Sequence, residues 1–265
     1  MHPLDDRSFV TRLDPKGMLA FTEGFPDQVR RAWEIAQAAP LPKGSAKPDM
    51  VVLTGLGGSA AGGDFARALF EAQGSVPFSV NRDYQLPNYV GPGTLVFAVS
   101  YSGNTEETVS AYLDARRRGC PMVVCASGGK LADMARQDGF PLIQVPGGQP
   151  PRTALGFLFV PGVAACEKMG LLPAQPWDAA IALLEACERD WGVSAEFTSN
   201  PAKQLAQELH GKVSVIYGLG SWQGLVANRW KGQINENAKN MTFANVFPEL
   251  CHNEILGWAA ADRQG

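Results

Sequence analysis

Ser100-Tyr-Ser-Gly-Asn-Thr105 places three hydroxyl side chains within six residues, directly after the apolar run Leu95–Val99. A turn that closes a strand and feeds a helix aims several backbone N–H groups at one spot, and the helix dipole adds partial positive charge there. Ser100, Ser102 and Thr105 add O–H donors, and Gly103 lets the backbone approach a ligand closely. Such a cradle holds a phosphate monoester without a basic residue. Asn104 and Glu107 have the spacing of a capping box, which would fix the start of the helix. An ordinary capped turn needs one Ser or Thr, not three.

A second turn, Gly55-Leu-Gly57-Gly58-Ser59-Ala60, follows the apolar run Met50–Thr54. It fits the GxGxxG/A pattern of dinucleotide-binding folds, which also want an acid after the second strand, where Asp83 stands. A nicotinamide- or flavin-dependent oxidoreductase is therefore one reading, but it leaves the hydroxyl loop unused. Two anion-binding turns at the strand ends of one sheet fit a single phosphosugar straddling both. Gly57 and Gly58 would then supply close backbone approach, and Ser59 a further hydroxyl.

The surrounding elements are those needed to hold such turns. Apolar runs at Met50–Thr54, Pro77–Val80, Leu95–Val99, Met122–Cys125 and Leu142–Val145 predict five strands. Helical spacing lies between them, as in Phe65, Ala68 and Leu69, or Val109, Tyr112, Leu113 and Arg116. This alternation predicts an α/β fold with a doubly wound parallel sheet. Upstream, Pro26-Asp27 opens a helix with Val29, Ala32, Trp33 and Ala36 on one face, followed by a link from Leu41 to Pro48. Thr153–Cys166 is the most apolar stretch; it is too short to span a bilayer and reads as a buried helix.

Pro173–Asn200 predicts a helical connector with Trp177, Ile181, Leu184 and Trp191 along one stripe. A second alternation begins with a strand at Val213–Tyr217, the turn Gly218-Leu-Gly-Ser221, a helix from Trp222 to Asn237 and a short strand near Phe243–Phe247. The pairing of Gly55-Leu-Gly57 with Gly218-Leu-Gly220 suggests a duplicated lobe. Three segments follow: 1–172 with the first lobe, 173–200 as connector and 201–265 as a second, shorter lobe that reads as incomplete at its C-terminal end.

Composition narrows the function class. A net charge of −3 over 265 residues argues against nucleic acid as the main partner. The run Arg116-Arg-Arg118 reads as solvated cations suited to the end of a helix. Five cysteines, odd in number, without a CxxC pair or metal-ligand spacing to the three histidines, predict reduced thiols in the cytoplasm and no metal. The N-terminus lacks the order of a signal peptide. His2 reads as disordered, and His210, before Gly211, as structural.

Five segments carry a resemblance: Gly57-Gly-Ser-Ala-Ala-Gly62, Ser100-Tyr-Ser-Gly-Asn-Thr-Glu-Glu-Thr108, Pro150-Pro-Arg-Thr-Ala-Leu-Gly156, Arg229-Trp-Lys-Gly-Gln-Ile-Asn-Glu-Asn237 and Phe247-Pro-Glu-Leu-Cys-His-Asn-Glu-Ile255. In this order they resemble the sugar isomerase (SIS) fold, most closely the bifunctional phosphoglucose/phosphomannose isomerase family. The resemblance implies two flavodoxin-like SIS lobes and interconversion of glucose 6-phosphate, and of mannose 6-phosphate where C2 has room, with fructose 6-phosphate. It implies Ser59, Ser100, Ser102 and Thr105 as phosphate ligands, Glu236 as catalytic base, His252 as ring-opening residue and Arg152 as the cation beside the reacting carbons. It also implies no cofactor, and a homodimer in which the histidine reaches the partner's site. Chemically, moving a proton between C1 and C2 needs a carboxylate, and the negative pole of a helix end would raise the pKa of Glu236. The family continues past the histidine motif and supplies a lysine near its C-terminus, for which this sequence has no counterpart. A non-catalytic phosphosugar-binding module on the same fold is the alternative.

Overall fold

The computed structural model describes residues 2–41 and 47–259. Most of the expected Leu41–Pro48 link, and of Ala259–Gly265, lies outside the described residues. The chain divides into two compact units, Met1–Asn200 and Pro201–Gly265.

In the first unit β1 (Met50–Thr54), β2 (Phe78–Asn81), β3 (Thr94–Ser100), β4 (Met122–Ala126) and β5 (Leu142–Gln144) form a parallel sheet in the order β2-β1-β3-β4-β5. β1 therefore neighbours β3 rather than β4, the flavodoxin-like winding and not the dinucleotide-binding one. Two short helices, α1 (Arg7–Leu13) and α2 (Met18–Glu23), lead into α3 (Phe25–Ala38). Next come α4 (Gly57–Gln73), α5 (Glu106–Arg117), α6 (Gly129–Asp138), α7 (Leu155–Lys168) and α8 (Trp177–Trp191).

Alternate strand side chains serve opposite faces. Val51, Leu53, Leu95, Phe97 and Val99 share a core with Val29 and Ala32 of α3, Phe70 of α4 and Phe157 of α7. Val52, Val96, Ala98, Met122 and Val124 share the other with Val109 and Tyr112 of α5 and Leu131 of α6. Coverage on both faces is why these strands read as unbroken apolar runs. Gly62 lets α4 meet α7, since a Cβ there would sit 2.6 Å from the Leu158 carbonyl oxygen. The Lys168 ammonium closes the end of α3, donating to the carbonyls of Ala36, Gln37 and Ala39 at 3.1, 2.8 and 3.1 Å.

Three expectations need correction. His2 is ordered: its Nδ1 accepts from the Leu4 amide, and its ring stacks on Phe197 with centroids 3.6 Å apart. Arg118 is not a solvated cation; it donates to Asp114 and to the carbonyls of Leu86, Pro87 and Val90, stapling the loop before β3. Trp191 leaves the α8 stripe. It is the last residue of the helix and 54% exposed, whereas Ile181 is buried in the core.

The second unit holds α9 (Pro201–Leu209), β6 (Ser214–Leu219), α10 (Gly220–Gln233), β7 (Thr242–Phe247) and two single turns, α11 (Leu250–Asn253) and α12 (Ile255–Trp258). β6 and β7 pair in parallel, with Leu219 opposite Phe247. His210 sits where α9 ends, its amide bonded to the Ala206 carbonyl and Gly211 following at a φ of 74°. All five cysteines are free: Cys120, Cys125 and Cys166 buried, Cys187 half-buried and Cys251 exposed. Burial pushes the Cys125 thiol up to about 12, and Cys120 and Cys166 upward as well. No helix among the described residues is long and apolar enough to cross a membrane.

Candidate functional site

The glycine-rich turn and the hydroxyl loop leave the sheet side by side. β1 and β3 are paired with Thr54 opposite Ala98, so Leu56-Gly57 and Ser100 emerge at adjacent points, where the winding of the sheet reverses. Ligands of open α/β sheets bind in this crevice. Gly55 backs onto β3, where a Cβ would lie 2.7 Å from the Val99 carbonyl oxygen. Gly57, at a φ of 52°, turns the chain into α4, and Ser59 sits buried in the first turn.

The hydroxyl loop divides its labour. Ser100 is only 1% exposed; its oxygen accepts the Gly103 amide at 3.1 Å and lies 2.9 Å from the Thr105 hydroxyl. It therefore shapes the loop. Ser102 is exposed, and among the described residues its oxygen accepts only the Asn104 amide, at 3.2 Å, so its O–H can donate outward. The amides of Thr105, Glu106 and Glu107 donate to no backbone carbonyl among the described residues. These N–H groups, at the positive pole of α5, are what an oxyanion would meet.

The expected capping box does not form. Thr105, not Asn104, is the N-cap of α5, and it makes no side-chain cap bond. Asn104 instead turns its Oδ1 to the Lys130 amide, at 3.0 Å, and so caps the neighbouring helix α6. Glu107 takes the Tyr84 hydroxyl, and its charge holds that phenol above its ordinary range. The outcome leaves the start of α5 uncapped. Asp83, the acid a dinucleotide site would use, accepts the Tyr84 amide in its own turn.

Arg152 lies in a 3-10 turn, Pro151–Thr153, packed on the start of α4; a Cβ on Gly58 would meet the Pro151 carbonyl oxygen at 2.7 Å. The structure thus brings Gly57, Gly58, Ser59, Ser100, Ser102, Gly103, Thr105 and the Arg152 turn to one edge of one sheet.

Glu236 and His252 belong to the second unit. Glu236 is exposed on a π turn, Ile234–Ala238, that extends α10. Asn235 holds that turn to β7: its side chain accepts the Thr242 amide at 2.9 Å and donates to the Thr242 carbonyl at 3.0 Å. Arg229, half-buried on α10, is pushed down by burial and partly back up by the charge of Glu236. His252 is exposed on α11. Two residues on, Glu254 accepts the Tyr217 hydroxyl of β6 and the Asn245 side-chain amide of β7, and those bonds hold its carboxyl below its usual range. Trp258 completes the cluster, donating to the Tyr217 hydroxyl at 2.6 Å. Among the described residues no three His, Cys, Asp or Glu side chains gather as metal ligands.

Comparison with known proteins now bears on this geometry. Residues 46–146 match the SIS domain, and residues 198–265 match the bacterial phospho-glucose isomerase C-terminal SIS domain. The bifunctional phosphoglucose/phosphomannose isomerase of Caldicellulosiruptor bescii is 42% identical over 236 residues, covering 88% of this chain and 69% of that protein. The chain belongs to the bifunctional phosphoglucose/phosphomannose isomerase family. The Aquifex aeolicus relative of the same name is 35% identical over 210 residues, covering 79% of this chain and 62% of that protein. The chain thus spans about two thirds of the length of these curated relatives. In fold it is similar to tagatose-6-phosphate ketose/aldose isomerase from Escherichia coli, with a TM-score of 0.61 and 18% identity over 91% of this chain and 70% of that one. The C-terminal domain of glucosamine-fructose-6-phosphate aminotransferase from Francisella tularensis gives a TM-score of 0.63 at 17% identity, covering 89% and 71%.

Two polar residues of this phosphoglucose/phosphomannose isomerase family member escaped the sequence reading. Glu254 lies within the Phe247–Ile255 segment, two residues after His252. Gln28 had a visible signal: it shares the buried face of α3 with Ala32 and Ala36, an unusual place for an amide.

Proposed function

We propose that this chain is an aldose–ketose isomerase that interconverts glucose 6-phosphate and mannose 6-phosphate with fructose 6-phosphate. The observation that carries the reading is the uncapped start of α5 beside an outward Ser102 hydroxyl, at the crevice between β1 and β3. Family membership supports the isomerase chemistry. Ser59, Ser102 and Thr105 hold the phosphate together with the α5 amides, and Ser100 shapes their loop.

Glu236 removes the C2 proton of the open-chain aldose. The C–H electron pair becomes the C1–C2 double bond, the carbonyl π pair moves onto the C1 oxygen to give a cis-enediolate, and that oxygen then takes a proton. Return of the proton to C1 and loss of the proton on the C2 oxygen give the ketose. Arg152 stabilises the developing oxyanion, and an imidazole such as His252 can serve both the ring oxygen and the hydroxyl during ring opening. The acting species is a cytoplasmic homodimer in which His252 serves the partner's site. These steps need no cofactor.

An isomerase assay on this chain tests the reading. Glu236→Gln lowers turnover by about 10²–10⁴-fold while phosphosugar affinity stays within about twofold. Full turnover in that variant would remove Glu236 from the mechanism.

A further inference from the structure

Gln28 lies on α3, outside every motif named above, and only 5% of it is exposed. Its side-chain amide spans the junction between the Arg152 turn and α7. Nε2 donates to the Thr153 carbonyl at 3.0 Å, and Oε1 accepts the Gly156 amide at 2.7 Å. The Gly156 N–H is one of the orphan donors of the first turn of α7, whose N-cap, Ala154, has no side chain able to serve it. The position of Gly156 suits this clamp, since a Cβ there would lie 2.8 Å from Gln28 Oε1.

A buried amide is costly unless both of its ends are paired, and here both are. The turn it grips is already stiffened from within. Pro150 and Pro151 fix their φ angles, and the Thr153 amide and hydroxyl both bond the Pro150 carbonyl, at 2.9 and 2.8 Å. Gln28 ties this turn to α3 and to the start of α7. On its other side the turn presses on Gly58, one residue before Ser59.

We infer that Gln28 is a positioning residue for catalysis: it fixes the Arg152 turn against the phosphate-binding turns. The inference rests on the role proposed for Arg152 and extends it to a residue that never touches substrate. Misplacing a charged group by about 1 Å can cost about 10²-fold in rate. Loss of the clamp should therefore reach turnover before phosphate binding.

The test compares Gln28→Leu and Gln28→Glu with the parent chain, with folding followed by near-ultraviolet circular dichroism. Both variants should lose about tenfold or more in kcat at pH 8, with KM changed by less than about threefold. A protonated Glu carries one donor and one acceptor, as Gln does. The kcat of Gln28→Glu relative to parent should therefore recover as pH falls, while the Gln28→Leu ratio stays flat. A second arm measures affinity for a five-carbon phospho-aldonate, whose carboxylate imitates the enediolate oxygens, against inorganic phosphate; only the former should weaken. Unchanged kcat and aldonate affinity in folded Gln28→Glu at pH 8 would overturn the inference. A parent chain without turnover would defeat the isomerase reading alone, because selective loss of aldonate affinity would still support the clamp.

Discussion

The turn after β1 and the turn after β6 share a backbone and differ in what stands beside them. In each a leucine in extended conformation, Leu56 or Leu219, precedes a glycine of positive φ, Gly57 at 52° or Gly220 at 65°, that opens the helix. In each the neighbouring strand is parallel and ends at the same level, with Ser100 in the first unit corresponding to Phe247 in the second. The loop that follows is Tyr-Ser-Gly-Asn-Thr105 in one case and Pro-Glu-Leu-Cys-His252 in the other. One frame carries hydroxyls and amides without backbone acceptors among the described residues, and the other carries an imidazole. The frame supplies direction, and the neighbouring loop supplies chemistry.

The most damaging change to this parallel is Gly103→Ala. At a φ of 70°, a Cβ would lie 1.8 Å from the Gly128 carbonyl oxygen, so the loop must move. A loss of about 4 kcal/mol or more in a denaturant titration is expected, with phosphosugar binding abolished. The serines should separate next. Ser100→Ala removes the partner of the Thr105 hydroxyl and leaves the Gly103 amide only the Ser100 carbonyl, and it costs about 1 kcal/mol of stability. Ser102→Ala should leave stability within about 0.5 kcal/mol yet weaken phosphosugar binding about tenfold by calorimetry.

Acid should divide the two loops. The first is held by hydroxyls and amides, which do not titrate. The second is held by Glu254, whose carboxyl the Tyr217 and Asn245 hydrogen bonds keep low. A carboxyl lowered by folding stabilises above its unfolded pKa and stops doing so as pH falls through the folded one. Trp258 fluorescence should therefore shift only once pH falls below the ordinary range of a glutamate carboxyl, and Tyr217→Phe should move that shift to higher pH. Movement of the Ser100 loop in the same window would erase the distinction. The smallest effect belongs to Gly220→Ala, where a Cβ meets nothing within 4 Å. Only the positive φ opposes it, at about 1 kcal/mol, with phosphate affinity unchanged.

What the sequence disclosed was local. The strands announced themselves because burial on both faces demands unbroken apolar runs, and the hydroxyl loop because its residues are consecutive. What it hid was settled at long range. Asn104 had the right spacing to cap its own helix, yet Lys130, 26 positions on, offered a better placed amide. Arg118 looked like a solvent cation until the carbonyls of Leu86, Pro87 and Val90 closed around it. The π turn bearing Glu236 differs from α-helix by one residue in its ring, and the Asn235 clamp on Thr242 accompanies it.

The cysteines give the second loop a property the first lacks. Three thiols are sealed in the first unit, where burial keeps Cys120, Cys125 and Cys166 protonated and out of reach, while Cys251 stands exposed next to His252. A maleimide dye added to the folded chain would thus mark the histidine loop ahead of the core, and in a Cys187→Ser background its emission would report on that loop alone.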